Sequence, residues 1–442
     1  MSMRVKCGFI SGAGNTSSSD CLKWLAPRPG DDSRSLVIIG IHNLVAICSV
    51  DGDKSDARVV ATLRGHTGLV TGLSYEHLEG DSTEAYSCGV DGMVRVWRRE
   101  KGAEVFEWVS SQVMDGLTSA CVGISSVSTK KGVILSASDS GGKVMIWSRL
   151  HTSSQFEVVH IVTMPPSQTP HVLHLARLDD DDAVCLLIGA VDSKIHVQAA
   201  SNPYESSTFK GCGVLSGHEE WVTSLSSRRL NSKNTNKGGF LLASGSKDCK
   251  SRVWRFEPEE AKGGGSIEGT GRQLDAVGEE DIDIEDDGDN VAEEADAAKI
   301  AMIDTEEESK ATEARLEFRV PSSSLAFRVY LETLLVGHED WVTSVQWLPD
   351  SMVAPLAGQD APTTSRQGRR CFLFTTSMDR NMILWSGHAN APSHDSGDGD
   401  SEGEAPIAAQ VWTPVTRVGD VGGMLGGSVG ANLLGFAGAC LS

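Results

Sequence analysis

The feature that most constrains this chain is a unit of strand, turn and strand that recurs at near-constant spacing. In 87-SCGVDGMVRVW-97, 244-SGSKDCKSRVW-254 and 375-TTSMDRNMILW-385, a Ser or Thr stands four residues before an Asp, and that Asp six before a Trp. A Gly-His pair leads into each copy: Gly65-His66, Gly217-His218 and Gly337-His338. Each pair is followed by an alternating run, LVTGLSY, WVTSLSS or WVTSVQW, which is the period of a strand. Weaker copies fill the gaps. IGAVDSKIHVQ keeps Asp192 but ends on Gln198, SASDSGGKVMIW carries Asp139 two residues early with Gly141 at the turn, and IIGIHNLVAIC has only His42 and Cys48. The six end points, Cys48, Trp97, Trp147, Gln198, Trp254 and Trp385, lie 49, 50, 51, 56 and 131 residues apart. Removing a low-complexity insert of roughly 60–75 residues restores the last interval to one repeat.

Charge marks the inserts. The net charge is −21, yet residues 255–313 hold 21 acids against 5 bases and residues 395–404 hold five acids and no base. The remainder is close to neutral. That argues against a basic groove for nucleic acid, which needs clustered Lys and Arg. The opening MSMRVKCGFISGAGN lacks the apolar core of a signal peptide, and the chain has no run of 18 apolar residues. The expectation is a protein without a membrane span. The end, VGGMLGGSVGANLLGFAGACLS, has seven glycines in 22 residues and reads as strand and turn. Ten cysteines are scattered without a CxxC pair, mostly within apolar runs. Buried, reduced thiols are expected, and with them a cytoplasmic or nuclear setting.

A Gly-His pair, a strand, [ST]xxxD and an apolar strand closing on Trp resemble the WD40 repeat, in which four strands make one propeller blade. The chain departs from that pattern in one respect. Its tryptophans are followed by Arg98, Ser148, Arg255 and Ser386, never by Asp. The expected fold is an all-β WD40 β-propeller with six recognisable blades, an incomplete seventh and a disordered acidic insertion. Blades one to five take residues 1–254, the acidic insertion 255–325 and the sixth blade 326–386. An acidic, flexible loop takes 387–410 and a partial seventh blade 411–442. The resemblance implies a hydrogen-bonded network in each good blade: His66, Ser87, Asp91 and Trp97; His218, Ser244, Asp248 and Trp254; His338, Thr375, Asp379 and Trp385. Leaving one buried partner of such a network unpaired costs on the order of 1–3 kcal/mol.

Other chemistries were weighed on the same residues. Ser, His and Asp recur in every good copy, whereas a hydrolytic triad is needed once. His171 and His174, at i and i+3 on a strand, diverge and have no accompanying ligands. The run 283-DIEDDGDNVAEE-294 approximates a calcium loop, but Asn290 occupies the usual apolar position and no second loop follows. An acidic stretch matches such patterns by composition alone. A short helix is expected near Ala292–Leu316. No Walker pattern or framed GxGxxG occurs. The expectation is no metal and no cofactor. Exposed residues beside the Gly-His loops are the candidate partner contacts: Glu219, Glu220, Trp221, Glu339, Asp340 and Trp341. For the two tryptophans, packing between blades is the competing reading.

One family resemblance is more specific. LAFRVYLETLLVGHEDWVTSVQW with TTSMDRNMILW resembles the WD-repeat second-subunit family of the Elongator complex. LVIIGIHNLVAICSV, VVATLRGHTGLVTGLSY, LSGHEEWVTSL and VWTPVTRVGDVGGMLGG agree with it. The resemblance implies a non-catalytic scaffold that supports wobble-uridine modification of tRNA. Its partners would be the largest subunit and the catalytic radical-SAM/acetyltransferase subunit, with tRNA contacted only indirectly. A generic WD40 adaptor in ubiquitin ligation or chromatin is the alternative. That family is described as two propellers, so the chain looks like the first, cut short. A strand from Arg4–Ile10 would then help to complete the last blade.

Overall fold

The computed structural model describes residues 21–25, 35–51, 56–78, 82–100, 103, 107–179, 181–230, 239–259, 315–348, 371–389 and 410–418. They form six antiparallel sheets. The first contains β1 (Leu22–Leu25), β2 (Ser35–Ile41), β3 (Leu44–Asp51) and β4 (Asp56–Arg64). The second contains β5 (Val70–His77), β6 (Thr83–Gly89), β7 (Val94–Arg99) and β8 (Val109–Met114). The third contains β9 (Cys121–Ser128), β10 (Gly132–Asp139), β11 (Lys143–Leu150) and β12 (Glu157–Thr163). The fourth contains β13 (Pro170–Arg177), β14 (Val184–Ala190), β15 (Ile195–Ala200) and β16 (Lys210–Leu215). The fifth contains β17 (Val222–Arg229), β18 (Phe240–Ser246), β19 (Lys250–Glu259), β20 (Arg315–Arg319) and β21 (Ala326–Val336). The sixth contains β22 (Val342–Trp347), β23 (Cys371–Ser377), β24 (Met382–Ala389) and β25 (Gln410–Val418).

The second strand of each of the last five sheets is buried along its whole length. In the second to fifth sheets, neighbouring sheets cover both faces of this strand, so these strands read as unbroken runs of apolar and small residues, such as VCLLIGA. Among the described residues five apolar clusters lie each between two successive sheets, and a sixth lies on the first sheet. The innermost strands are also sewn together by short polar side chains. Thr71 donates to the Cys121 carbonyl at 2.7 Å, and Thr223 at the equivalent position donates to the Val342 carbonyl at 2.5 Å. Ser125 and Ser224 accept the Leu175 and Val345 amides at 2.9 and 3.1 Å. Inner strands cannot pair by backbone ladder across sheets, and these hydroxyls supply the missing partners.

Three boundaries differ from the sequence reading. β21 begins at Ala326, but it pairs with β19 (Trp254 opposite Leu331) and therefore belongs to the fifth sheet, not the sixth. Likewise β25 pairs with β24 (Trp385 opposite Pro414), so residues 410–418 complete the sixth sheet instead of opening a seventh. The physical reason is a phase shift: a strand that precedes a Gly-His loop hydrogen-bonds to the Trp strand before it. The expected seventh blade beyond Val418 and the strand at Arg4–Ile10 lie outside the described residues. The third difference concerns the acidic insertion. Both ends of 255–325 are sheet: β19 runs to Glu259, and β20 and β21 form a hairpin from Arg315. Arg315 and Leu316, the last residues of the expected helix, are strand. The rest of that helix, the calcium-like run and the loop core at 390–409 lie outside the described residues. β20 is the outermost strand of its sheet and lays Leu316 against Gly213 of β16, where any larger side chain would collide.

The connections are unequal at the two ends of the strands. At the Gly-His end they are short, as at 65–69, 216–221 and 337–341. The connections 230–239, 349–370 and 390–409 leave and return at the other end, and 260–314 leaves there from Glu259 and re-enters at Arg315, level with Arg255 in mid-sheet.

Candidate functional site

The Gly-His end is built around three copies of one network. In the second sheet Trp97 Nε1 donates to Ser87 Oγ at 2.9 Å, His66 Nε2 lies 2.8 Å from that hydroxyl, and His66 Nδ1 lies 3.0 Å from Asp91. In the fifth sheet Trp254 reaches Ser244 at 3.0 Å, Ser244 reaches His218 at 2.8 Å and His218 reaches Asp248 at 2.8 Å. In the sixth, Trp385, Thr375, His338 and Asp379 repeat this at 3.0, 2.8 and 3.1 Å. At His66 and His338 the donors impose one direction. Indole N–H donates to the hydroxyl, the hydroxyl donates to Nε2, and Nδ1–H donates to the carboxylate. A neutral imidazole satisfies that chain. At His218 the Arg252 guanidinium also lies 2.6 Å from Nδ1, so either ring nitrogen can carry the proton there. Burial lowers the pKa of His66, His218 and His338, and their Asp partners only partly oppose it. Burial raises the Asp248 carboxyl, but His218, Arg252 and the Lys250 amide outweigh it and hold the group far below the carboxylate range.

The Asp also shapes the turn. Asp91, Asp248 and Asp379 accept the amide two residues on, from Met93, Lys250 and Asn381 at 3.2, 2.9 and 2.8 Å. The residue between is left-handed in each case: Gly92, Cys249 and Arg380 at φ 72°, 65° and 63°. Only one of the three is glycine, and the carboxylate bond holds the strained non-glycine turns.

Ser-His-Asp proximity does not make a hydrolase here. Ser87, Ser244 and Thr375 are fully buried and already accept an indole N–H, so no substrate carbonyl can approach them. His174 and His171 separate, as their strand spacing requires. His174 Nε2 meets Ser227 Oγ at 2.8 Å, while His171 packs edge-on against Trp221. Among the described residues no cluster of His, Cys, Asp and Glu is arranged for a metal ion. Eight described cysteines are free thiols, and six of them are buried.

The six candidate contact residues all lie on the loops of this face. Glu219, Glu220, Glu339 and Asp340 are exposed, and Trp221 and Trp341 are 39% and 43% exposed. Glu219 faces Lys250 at 3.7 Å and Glu339 faces Arg417 at 3.7 Å, while Asp340 Oδ1 caps the Trp341 amide at 2.7 Å. Packing between blades is thus only half of the account for the indoles. Lys247, which sequence reasoning did not single out, lies between them, its ammonium 3.7 Å from the Trp221 ring centre and 4.3 Å from that of Trp341. Burial lowers the Lys247 pKa, and Glu220 opposes the shift.

Sequence reasoning also passed over Glu84. It is wholly buried and accepts both Arg149 guanidinium N–H groups at 2.8 Å, Arg98 Nε at 2.8 Å and the Tyr86 hydroxyl at 2.7 Å, joining the second and third sheets. The available signal was an acid within the apolar strand TEAYSCG. Asp139 was seen, but not its partner: Thr118 gives it both amide and hydroxyl, at 2.9 and 3.0 Å, where other sheets use His.

Glu76, at the far end of β5, accepts Ser126 Oγ at 2.9 Å. Burial pushes its carboxyl up to about 7. A raised carboxyl pKa means that the folded state binds more protons than the unfolded between about pH 4.5 and 7. That contribution is full below the window and lost as pH rises through it. Glu76→Gln is therefore expected to gain stability over the parent at pH 8 and not at pH 4.5, measured by urea unfolding at both. Equal differences at the two pH values would contradict the shift.

The family model for the WD domain, G-beta repeat, matches residues 57–98, 209–255 and 329–386. Each matched span begins in or just before the strand that leads into a Gly-His loop and ends near the Trp of the next sheet, which is the phase shift described above. These three spans match the WD40 repeat, and the six antiparallel sheets fit an all-β propeller. The chain resembles Elongator complex protein 2 of Dictyostelium discoideum, at 24% identity over 98% of this chain and 44% of that protein. The proteins of the same name from Danio rerio and Homo sapiens are 28% and 26% identical, over 92% and 96% of this chain and 38% and 35% of their own lengths. The chain thus spans less than half the length of each of these relatives.

Proposed function

We propose that the chain is a non-catalytic scaffold of the Elongator complex that supports wobble-uridine modification of tRNA. It would do so by holding together the largest subunit and the catalytic radical-SAM/acetyltransferase subunit. The observation that carries this reading is likeness to Elongator complex protein 2 along nearly the whole chain, in organisms as far apart as a slime mould, a fish and a human. The sheet stack supports it physically. A rigid array of loops can dock several partners at once without moving. The near-neutral charge outside the acidic segments favours indirect contact with tRNA. Work in both cytoplasm and nucleus belongs to the same proposal.

The test is affinity purification of the tagged endogenous protein. The expected result is recovery of the other Elongator subunits, with loss of wobble-uridine modification on deletion of the gene. Recovery of a cullin-type ubiquitin ligase or a chromatin complex in their place, with tRNA modification intact, would overturn it.

A further inference from the structure

On the Gly-His face one backbone bond repeats through five sheets. The residue before the turn Asp, or its counterpart, donates to the carbonyl of the residue entering the inner strand. The pairs are Val90 to Leu69, Ser140 to Ala120, Val191 to Thr169, Lys247 to Trp221 and Met378 to Trp341, at 2.8, 2.9, 3.1, 3.0 and 2.9 Å. The bond sets the two side chains of each pair next to each other on the face. Leu69, Ala120 and Thr169 occupy the tryptophan position in other sheets, so the fold does not need an indole there. Two adjacent sheets nonetheless place one, and both remain exposed to about two fifths.

Lys247 completes the group. Both neighbouring π faces are turned to its ammonium, a geometry in which tryptophan is the best aromatic partner. Among the described residues no carboxylate lies within ion-pair distance of it, and Glu220 acts only at longer range. Of the other nearby acids, Glu219 faces Lys250, Glu339 faces Arg417, and Asp340 caps its own loop. Lys247 thus has three N–H donors, no carboxylate partner, and an apolar wall on either side.

We propose that Trp221, Lys247 and Trp341 form a docking site for a peptide segment bearing a carboxylate between apolar side chains. The carboxylate accepts from Lys247 Nζ, and the flanking apolar groups pack on the outer edges of the two indoles. A basic segment is the poorer fit, because its cation would have to displace Lys247 from the slot it already fills. A partly desolvated cation between two tryptophans also has the composition of an interface hot spot. The proposal does not depend on which complex the chain joins.

The test is selection of displayed random peptides against the full chain, alongside Trp221→Ala, Trp341→Ala, Lys247→Met and Lys247→Glu. Thermal melts confirm that each variant is folded. The expected enrichment is Asp or Glu flanked by apolar residues. Binding of the selected peptides should fall roughly thirtyfold on either tryptophan variant, the loss usual for a hot-spot residue. Lys247→Met should lose the acidic preference and keep the apolar one, and Lys247→Glu should turn the preference to Lys or Arg. Enrichment of basic peptides on the parent chain would overturn the proposal. So would enrichment unchanged by the variants, or none above an unrelated control protein. Co-purification with Elongator is a separate readout, so either idea can fail alone.

Discussion

Replacing Glu84 by alanine is expected to destabilise the chain by about 3–5 kcal/mol, because it strands a buried guanidinium. Arg149 is almost wholly buried, and both of its N–H contacts to carboxylate end on Glu84. Burial raises the Glu84 carboxyl, but Arg149, Tyr86 and Arg98 outweigh it and leave the group below its ordinary range. The carboxylate is therefore ionised in the fold, and its removal leaves uncompensated charge. The shift of the urea midpoint measures the effect. Removing both charges, Glu84→Met with Arg149→Met, should cost clearly less than Glu84→Ala alone, since neither charge is then left unpaired. A double variant as unstable as the single one would place the effect in packing and not in electrostatics.

The second large effect is expected at Trp254, the bulkiest of the fully buried side chains. Trp254→Ala should cost about 3–5 kcal/mol through the cavity it leaves between the fourth and fifth sheets. Trp254→Phe retains most of that volume and loses the bond to Ser244, so it should cost about 1–2 kcal/mol. The pair of variants separates packing from hydrogen bonding at one position, read by thermal or urea unfolding. Equal losses would mean that the network, not the filled volume, dominates. Ser244 then still bonds His218, so a modest loss is expected from the hydroxyl side.

The repeat was legible because its spacing follows directly from the network. A Trp strand can reach the Ser of the preceding strand only at a fixed register, and the Gly-His loop must meet the turn Asp. The third and fourth sheets were harder to read because the same roles pass to other chemistry, as when Thr118 replaces the histidine beside Asp139. Sheet membership of β21 and β25 could not be read from the pattern. A repeat can be cut at any point in its period, and only the hydrogen-bond ladder shows which strand joins which sheet. The site was partly legible. Trp221 and Trp341 followed from their place beside the Gly-His loops. Lys247 did not, since its role depends on two rings held by adjacent sheets and separated by 120 residues of chain. Glu84 and Arg149 likewise meet only across a sheet interface.

The inequality between the two ends of the strands has a consequence for how such a protein can change. Residues added to the connections 230–239, 349–370 and 390–409 enter at the end remote from Lys247, and no strand need shift to admit them. The short, stitched loops at the Gly-His end have no such freedom, because each is bonded to a turn whose own conformation depends on a carboxylate. One rim of the molecule is free to drift in length and charge between lineages. The other is held to a single geometry, on which a partner's recognition can depend.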